Sequence, residues 1–152
     1  MKRNFKTTAV LALVVVMCAA FLLCACDDAD NLQKTVTIVI GEGDSARTTV
    51  ETTGAKYLFD VMNELAQKEE NPVIMNGSWS TYGLFVTEVG GVKAEGENEY
   101  IAILTTDETY WDATDFAVKR EIDGKKYVMS VLGISSLPLV DGESYLFVLA
   151  TF

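Results

Sequence analysis

The sequence predicts an α+β domain, in which one helix covers a sheet, behind an N-terminal export signal. Three features of the 152-residue chain indicate this fold. Two β-branched runs flank a glycine-rich turn, a later segment has the three- and four-residue spacing of an amphipathic helix, and the remainder consists of short apolar runs between turn residues. A hydrophobic content of 49% is enough to build a core, and the length is that of one domain.

Residues 1–25 have the pattern of a lipoprotein signal peptide. An apolar run at residues 9–23 follows a basic start that contains Lys2, Arg3 and Lys6, which is typical of export signals. The sequence Leu23-Cys24-Ala25-Cys26 then resembles a bacterial lipobox. We therefore expect Cys26 to carry the lipid and to anchor the protein at the outer face of the cytoplasmic membrane or cell envelope. The alternative, a membrane-spanning anchor, needs roughly twenty apolar residues, more than this run provides.

Residues 26–33 are polar and acidic, and they are predicted to form a short tether. The three cysteines of the chain all lie in or beside the signal, so the mature chain is predicted to contain neither a disulfide nor a free thiol. Removal of the signal leaves 9 basic against 22 acidic residues, a net charge of −13. Because anionic headgroups repel such a domain, we expect membrane contact through the lipid anchor alone.

The predicted domain, residues 34–152, begins with a hairpin and a helix. Residues 35–40 and 47–52 are rich in Thr, Val and Ile, and a turn cluster joins them. Apolar residues then recur at helical spacing from Tyr57 to Ala66, with Thr53 as the predicted N-cap. The pair Asn71-Pro72 is predicted to end the helix, since proline disfavours a helical residue before it.

The rest of the sequence predicts five short strands. The turn dipeptides Asp123-Gly124 and Asp141-Gly142 precede the last two of them. A hairpin, one helix and then further strands form an α+β plan of the β-grasp type, a mixed sheet with one covering helix. The predicted strands are residues 73–75, 84–89, 100–104, 125–131 and 144–150.

The composition argues against several classes of function. The chain has no histidine, which removes Ser-His-Asp and Cys-His catalysis and histidine-ligated zinc. A net charge of −10 counts against nucleic-acid binding. The acidic runs at residues 95–99 and 107–115 lack the residue order of a calcium loop, and a domain of this size offers little depth for a glycosidase carboxylate pair. We therefore predict no enzymatic activity, no catalytic or metal-binding residues and no required cofactor.

From Gly83 onwards the sequence resembles a known family. The segment Gly83-Leu84-Phe85-Val86-Thr87-Glu88-Val89 has a glycine, an aromatic residue two positions on, an aliphatic residue, a threonine and another aliphatic residue. Gly90-Gly91 and a polar loop then lead to a strand that opens with Tyr100-Ile101, and Gly133-Ile134 and Asp141-Gly142-Glu143 mark the closing segment. These motifs are similar to those of bacterial lipoprotein domains that resemble the C-terminal β-domain of transcobalamin and intrinsic factor, the vitamin B12 carriers.

The resemblance implies cobalamin or another corrinoid as a possible ligand. In the carriers, this domain caps a corrinoid that is held against a larger helical domain, which has no counterpart in these 152 residues. The carriers also favour tryptophan at the position of Ile101. By position, the resemblance places ligand contacts on Thr87, Glu88, Gly90, Gly91 and Val92 of the hairpin and on Tyr100 and Ile101 of the next strand.

Four aromatic residues in polar segments suggest a second possibility: Trp79, Tyr82, Tyr110 and Trp111. Such residues either form a platform for a ring, a sugar or a protein partner, or close the ends of a small sheet core. We include Tyr110 and Trp111 among the candidate ligand contacts. The sequence thus predicts an exported, lipid-anchored, non-catalytic protein that captures a small ligand at the cell surface. The alternative is a surface module for protein interaction or adhesion.

Overall fold

The computed structural model describes residues 32–152, so the predictions for the signal peptide, for Cys26 and for most of the tether lie outside the described residues. The described part is a sheet-rich α+β structure with one α-helix, α1 (Leu58–Ala66), as predicted. Its nine strands are β1 (Lys34–Ile40), β2 (Arg47–Thr53), β3 (Met75–Ser80), β4 (Gly83–Val89), β5 (Val92–Lys93), β6 (Glu99–Thr105), β7 (Lys119–Ile122), β8 (Lys125–Met129) and β9 (Ser144–Thr151).

Six of the strands form the main sheet, in the order β2-β1-β9-β6-β8-β7. The predicted hairpin β1–β2 is antiparallel, whereas β1 and β9 run parallel to each other. The first and last strands of the described part therefore lie side by side within the sheet. The remaining neighbouring pairs are antiparallel.

Helix α1 covers one face of the main sheet. Four of its apolar residues are completely buried and share one core with Ile38 of β1 and Phe147 of β9. The main-chain N–H of Leu58 donates to the carbonyl of Leu137 over 2.9 Å, which fixes the start of the helix against the segment before β9. The buried helix residues are Leu58, Val61, Met62 and Leu65.

The predicted ends of the helix were wrong. Thr53 is the last residue of β2, and its hydroxyl donates to the carboxylate of Glu64 over 2.7 Å instead of capping the helix. The N-cap is Tyr57, whose main-chain N–H donates to the carboxylate of Asp60 over 3.2 Å. The helix also ends at Ala66, well before proline, because its apolar periodicity stops there.

Strands β3, β4 and β5 form a second, antiparallel sheet. Val86 and Val89 of β4 are buried in the core that α1 shares with the main sheet. The strand predicted at residues 73–75 was misplaced, because β3 begins at Met75 and continues through a polar sequence to Ser80. Strands β5 and β7 were not predicted.

The β7–β8 hairpin forms one edge of the main sheet and contributes to the sheet face opposite α1. There, Tyr127 of β8 shares a second core with Val39 of β1 and Leu146 of β9. Strand β8 pairs with β6 only near Leu104, and Arg120 of β7 reaches Glu42 in the turn after β1. Among residues 32–152, no helix has the length and apolar character needed to cross a membrane.

Candidate ligand-binding site

The β4–β5 turn holds the first group of candidate residues. Gly90 and Gly91 have φ angles of 53° and 92°, which is the left-handed geometry of a type I′ hairpin turn. A Cβ on Gly90 would lie 3.1 Å from the Cδ1 of Ile40, so this residue packs tightly on β1. A Cβ on Gly91 would meet nothing within 4 Å, and Val92 beside it is half-buried. The main chain at Gly91 is therefore open to a ligand.

Thr87 is the extra residue of a β-bulge in β4. Asn76 pairs with Glu88 and Gly77 with Val86, which leaves Thr87 without an opposing residue on β3. The side-chain amide of Asn76 donates to the Glu88 carboxylate over 3.0 Å, and the Thr87 hydroxyl donates to the Asn76 carbonyl over 3.3 Å. A bulge changes the direction of its side chains, and here two polar side chains remain half-exposed beside the turn.

Strand β6 places Tyr100 and Ile101 on opposite faces of the main sheet. Ile101 is only 6% exposed and belongs to the core beneath α1 and β4. Tyr100 packs against the other core, and its ring stacks on Phe152 with 4.6 Å between the ring centroids. The expected group of contacts therefore does not converge, because the hairpin residues lie together whereas the Tyr100 ring lies on the opposite face.

Tyr110 and Trp111 also point in different directions and do not form a joint platform. Tyr110 packs against the core that contains Ile101. Trp111 lines an open pocket of about 380 Å³ at the C-terminal end of β6, with Glu143 and Lys126 beside it. Its indole N–H donates to the carbonyl of Thr105 over 2.9 Å, and the Lys126 ammonium lies 4.6 Å from the ring centroid. Part of the indole surface is thus already covered by a cation.

A groove that was not predicted from the sequence runs beside β6. Its volume is about 200 Å³, and β4, β6 and residues 129–133 line it. Phe85 and Val131 stand at the groove with 51% and 60% of their surface exposed. Phe85 could have been identified from the sequence, because it is the aromatic residue two positions after Gly83 in the family motif. By contrast, no local sequence pattern marks the point after Met129 at which the chain leaves β6.

The acidic run at residues 95–99 forms a loop closed by its own carboxylate. Glu99 accepts hydrogen bonds from the main-chain N–H groups of Gly96 and Glu95, at 2.8 and 2.9 Å, and these bonds lower the pKa of its carboxyl. Across residues 32–152, no group of three or more Cys, His, Asp or Glu side chains is placed to hold a metal ion. The loop therefore has a structural explanation that needs no ligand.

Comparison with known proteins shows a shared fold. No family model matches the sequence, and none of the curated proteins matches it. Haptocorrin in complex with Cbi superposes with a TM-score of 0.57 and 15% identity, over 83% of this chain and 27% of that chain. A candidate metal-binding protein from Ruminococcus gnavus ATCC 29149 superposes with a TM-score of 0.53 and 19% identity, over 78% of this chain and 98% of that chain. This chain therefore spans about a quarter of haptocorrin, and the likeness is one of fold.

Proposed function

We propose that this protein is an exported, non-catalytic binding protein, anchored through a lipid on Cys26, whose domain captures a corrinoid. The observation that carries this proposal is the fold likeness to haptocorrin, solved in complex with Cbi, over 83% of this chain. The order of the main sheet supports a β-grasp-like assignment, because the first strand lies parallel to the last and α1 covers one face. The motifs that resemble the β-domain of the vitamin B12 carriers point to the same ligand.

The β4–β5 turn is the surface that we assign to the corrinoid. At Gly91 no side chain separates a flat ring from the main chain, and the half-buried Val92 adds apolar contact. The Thr87 hydroxyl and the Glu88 carboxylate, which are half-exposed at the bulge, can accept hydrogen bonds from amide groups on the ring periphery. One hairpin covers only one face of such a ring, so tight binding requires a second protein surface.

The test is calorimetric titration of residues 27–152 with cobinamide and cobalamin, since the residues from Asn31 onwards form one compact unit. The informative variant is Gly91→Asn, because asparagine tolerates the left-handed φ and its side chain would occupy the open approach. Gly124→Asn is the matched control: it lies in the β7–β8 turn with a φ of 72° and also has no neighbour within 4 Å of a Cβ.

We expect saturable binding that Gly91→Asn weakens by about tenfold or more, equivalent to about 1.4 kcal/mol. Gly124→Asn should bind like the unaltered protein. Absence of heat at millimolar corrinoid, or equal affinity in the two variants, would contradict the proposed site.

A second candidate function is protein interaction at the cell surface. It is favoured by aromatic side chains at the β3–β4 hairpin, where Tyr82 is 95% exposed and Trp79 is 65% exposed. The colour of the purified protein distinguishes the two functions. A bound corrinoid colours the purified protein red, whereas a protein partner does not.

A further inference from the structure

We propose that the unpaired part of the β6 edge binds an extended peptide segment by β-strand addition. This inference goes beyond corrinoid capture and does not depend on it. It rests on three properties of the groove beside β6: its main-chain groups, its side chains and the charge around it.

The main-chain groups of Ile101 point into the groove. Strand β8 pairs with β6 at Leu104 and Thr105 only, and Ser130 donates its N–H to the carbonyl of Ile103 over 2.9 Å. Because N–H and C=O groups two residues apart in a strand point the same way, those of Ile101 point to this side as well. The ladder with β9 occupies the other side of β6 over all seven residues. The N–H and C=O groups of Ile101 on the groove side thus remain for an added strand.

The side chains along the groove suit alternate residues of an extended peptide. Its lining residues are uncharged, with Phe85 of β4 on one side and Val131 on the other. Phe85 and Val131 are each about half-exposed, so contact of their side chains with an added strand would remove apolar surface from water. In strand addition, the main chain supplies affinity and side-chain pockets at alternate positions supply specificity.

The two outer strands of the main sheet are protected against strand addition, whereas this stretch of β6 is not. Strand β2 carries Arg47 and Glu51, and β7 consists of Lys119-Arg120-Glu121-Ile122. Charged residues at an edge are a common protection against pairing with other chains. Residues 100–103 contain no charge, no proline and no glycine.

Charge favours a basic peptide over a second copy of this chain. The chain has a net charge of −10, so two copies repel each other. The acidic loop with Glu95 and Glu97 lies directly before β6 and would attract a lysine or arginine at the adjacent end of the peptide. The stretch from residue 99 to 103 matches a peptide of about five residues, because a strand rises about 3.3 Å per residue. The partner is thus a short basic segment with β-branched or aromatic residues at alternate positions.

Amide hydrogen exchange followed by NMR on residues 27–152 tests the edge directly. In the free protein, the Ile101 amide should exchange at least about tenfold faster than those of Tyr100 and Ala102, which point towards β9. The probe is the blocked peptide acetyl-Lys-Val-Thr-Val-Thr-amide. We expect it to shift the amide signals of residues 99–103 and to slow Ile101 exchange by about tenfold or more.

Two matched controls distinguish strand addition from nonspecific binding of the peptide. The same peptide with every main-chain nitrogen methylated should not bind, because it cannot donate to the edge. Val131→Lys should weaken binding of the unmodified peptide by about tenfold, whereas Val50→Lys, at a 63% exposed valine on β2, should not.

Four results would overturn the proposal: Ile101 already protected in the free protein, no response at millimolar peptide, equal binding of the methylated peptide, or equal effects of the two lysine variants. A concentration-dependent dimer in which the Ile101 amide is protected would also overturn the peptide partner, because a second copy of the chain would then occupy the β6 edge. Failure of corrinoid binding would leave each of these results unaffected, so the two proposals fail separately.

Discussion

The side-chain hydroxyl of Tyr145 donates a hydrogen bond to the main-chain carbonyl of Pro138 over 2.9 Å. The same oxygen accepts the N–H of Val140, also over 2.9 Å. Tyr145 is completely buried in β9, and Pro138 forms an isolated bridge with Tyr57 at the start of α1. One hydroxyl thus links the central strand to the segment that positions the helix.

Tyr145→Phe is expected to destabilise the protein by about 1–3 kcal/mol, because it leaves a donor and an acceptor without their partner. The measurement is urea unfolding followed by circular dichroism. Tyr100→Phe is the control, because its hydroxyl contacts only the sulfur of Met129, at 3.9 Å. Equal urea midpoints for Tyr145→Phe and Tyr100→Phe would contradict the structural role of the buried hydroxyl.

The same residue predicts a loss of stability in alkali. Burial raises the pKa of Tyr145 to about 12, whereas an unfolded tyrosine titrates near pH 10. Between these values the folded protein keeps a proton that the unfolded chain releases, so this contribution to stability is complete below about pH 10 and declines as pH rises through about 12. The stability difference between the unaltered protein and Tyr145→Phe should therefore be smaller at about pH 11 than at about pH 8. A difference that stays constant would refute this assignment.

Gly77→Ala is expected to be strongly destabilising. Gly77 lies at the β-bulge opposite β4, and a Cβ there would collide with the carbonyl oxygen of Phe85. The contact is with main chain, so the strands must separate, at a cost of about 1–3 kcal/mol or more. Gly133→Ala is the matched control, because a Cβ at Gly133 would meet nothing within 4 Å. Thermal unfolding compares the two variants, and similar melting temperatures would argue against the bulge geometry.

The ion pair between Arg120 and Glu42 is expected to contribute little. It joins residues 78 positions apart and links β7 to the turn after β1, but both side chains are substantially exposed. A double-mutant cycle with Arg120→Ala and Glu42→Ala should give a coupling of about 0.2–1 kcal/mol in urea unfolding, reduced by added salt. A coupling several times larger, or one unaffected by salt, would show that the pair is more than a surface contact.

The elements with strong periodic patterns were predictable from the sequence. Strands β1, β4 and β9 have apolar runs bounded by turn residues, and α1 has one apolar face, so local preference and burial agree. Strand β3 was misplaced because five of its six residues are exposed, and pairing with β4 holds it rather than its own composition. The polar β7 was missed for a similar reason, since its strand geometry depends on pairing with β8.

The candidate site was predictable only in its local part. The Gly90-Gly91 dipeptide indicated a tight hairpin turn, and the turn has that geometry. The two-residue period of a strand also implies that Tyr100 and Ile101 face opposite ways, although the resemblance assigned both to one ligand. By contrast, the groove beside β6 depends on where β8 leaves the sheet, which is set by contacts between residues far apart in the sequence.

Lipidation of Cys26 can be tested independently of the domain. In cells that express the full chain and receive an alkyne-labelled fatty acid, we expect the protein to be labelled and to fractionate with membranes. Cys26→Ser should abolish both properties, because the serine hydroxyl cannot replace the thiol that accepts the lipid. Cys24→Ser is the matched control and should remain labelled, since Cys24 occupies the tolerant position of the lipobox. Loss of label in Cys24→Ser alone would show that Cys24, and not Cys26, carries the lipid. Membrane association of an unlabelled chain would instead favour anchoring by an uncleaved apolar segment.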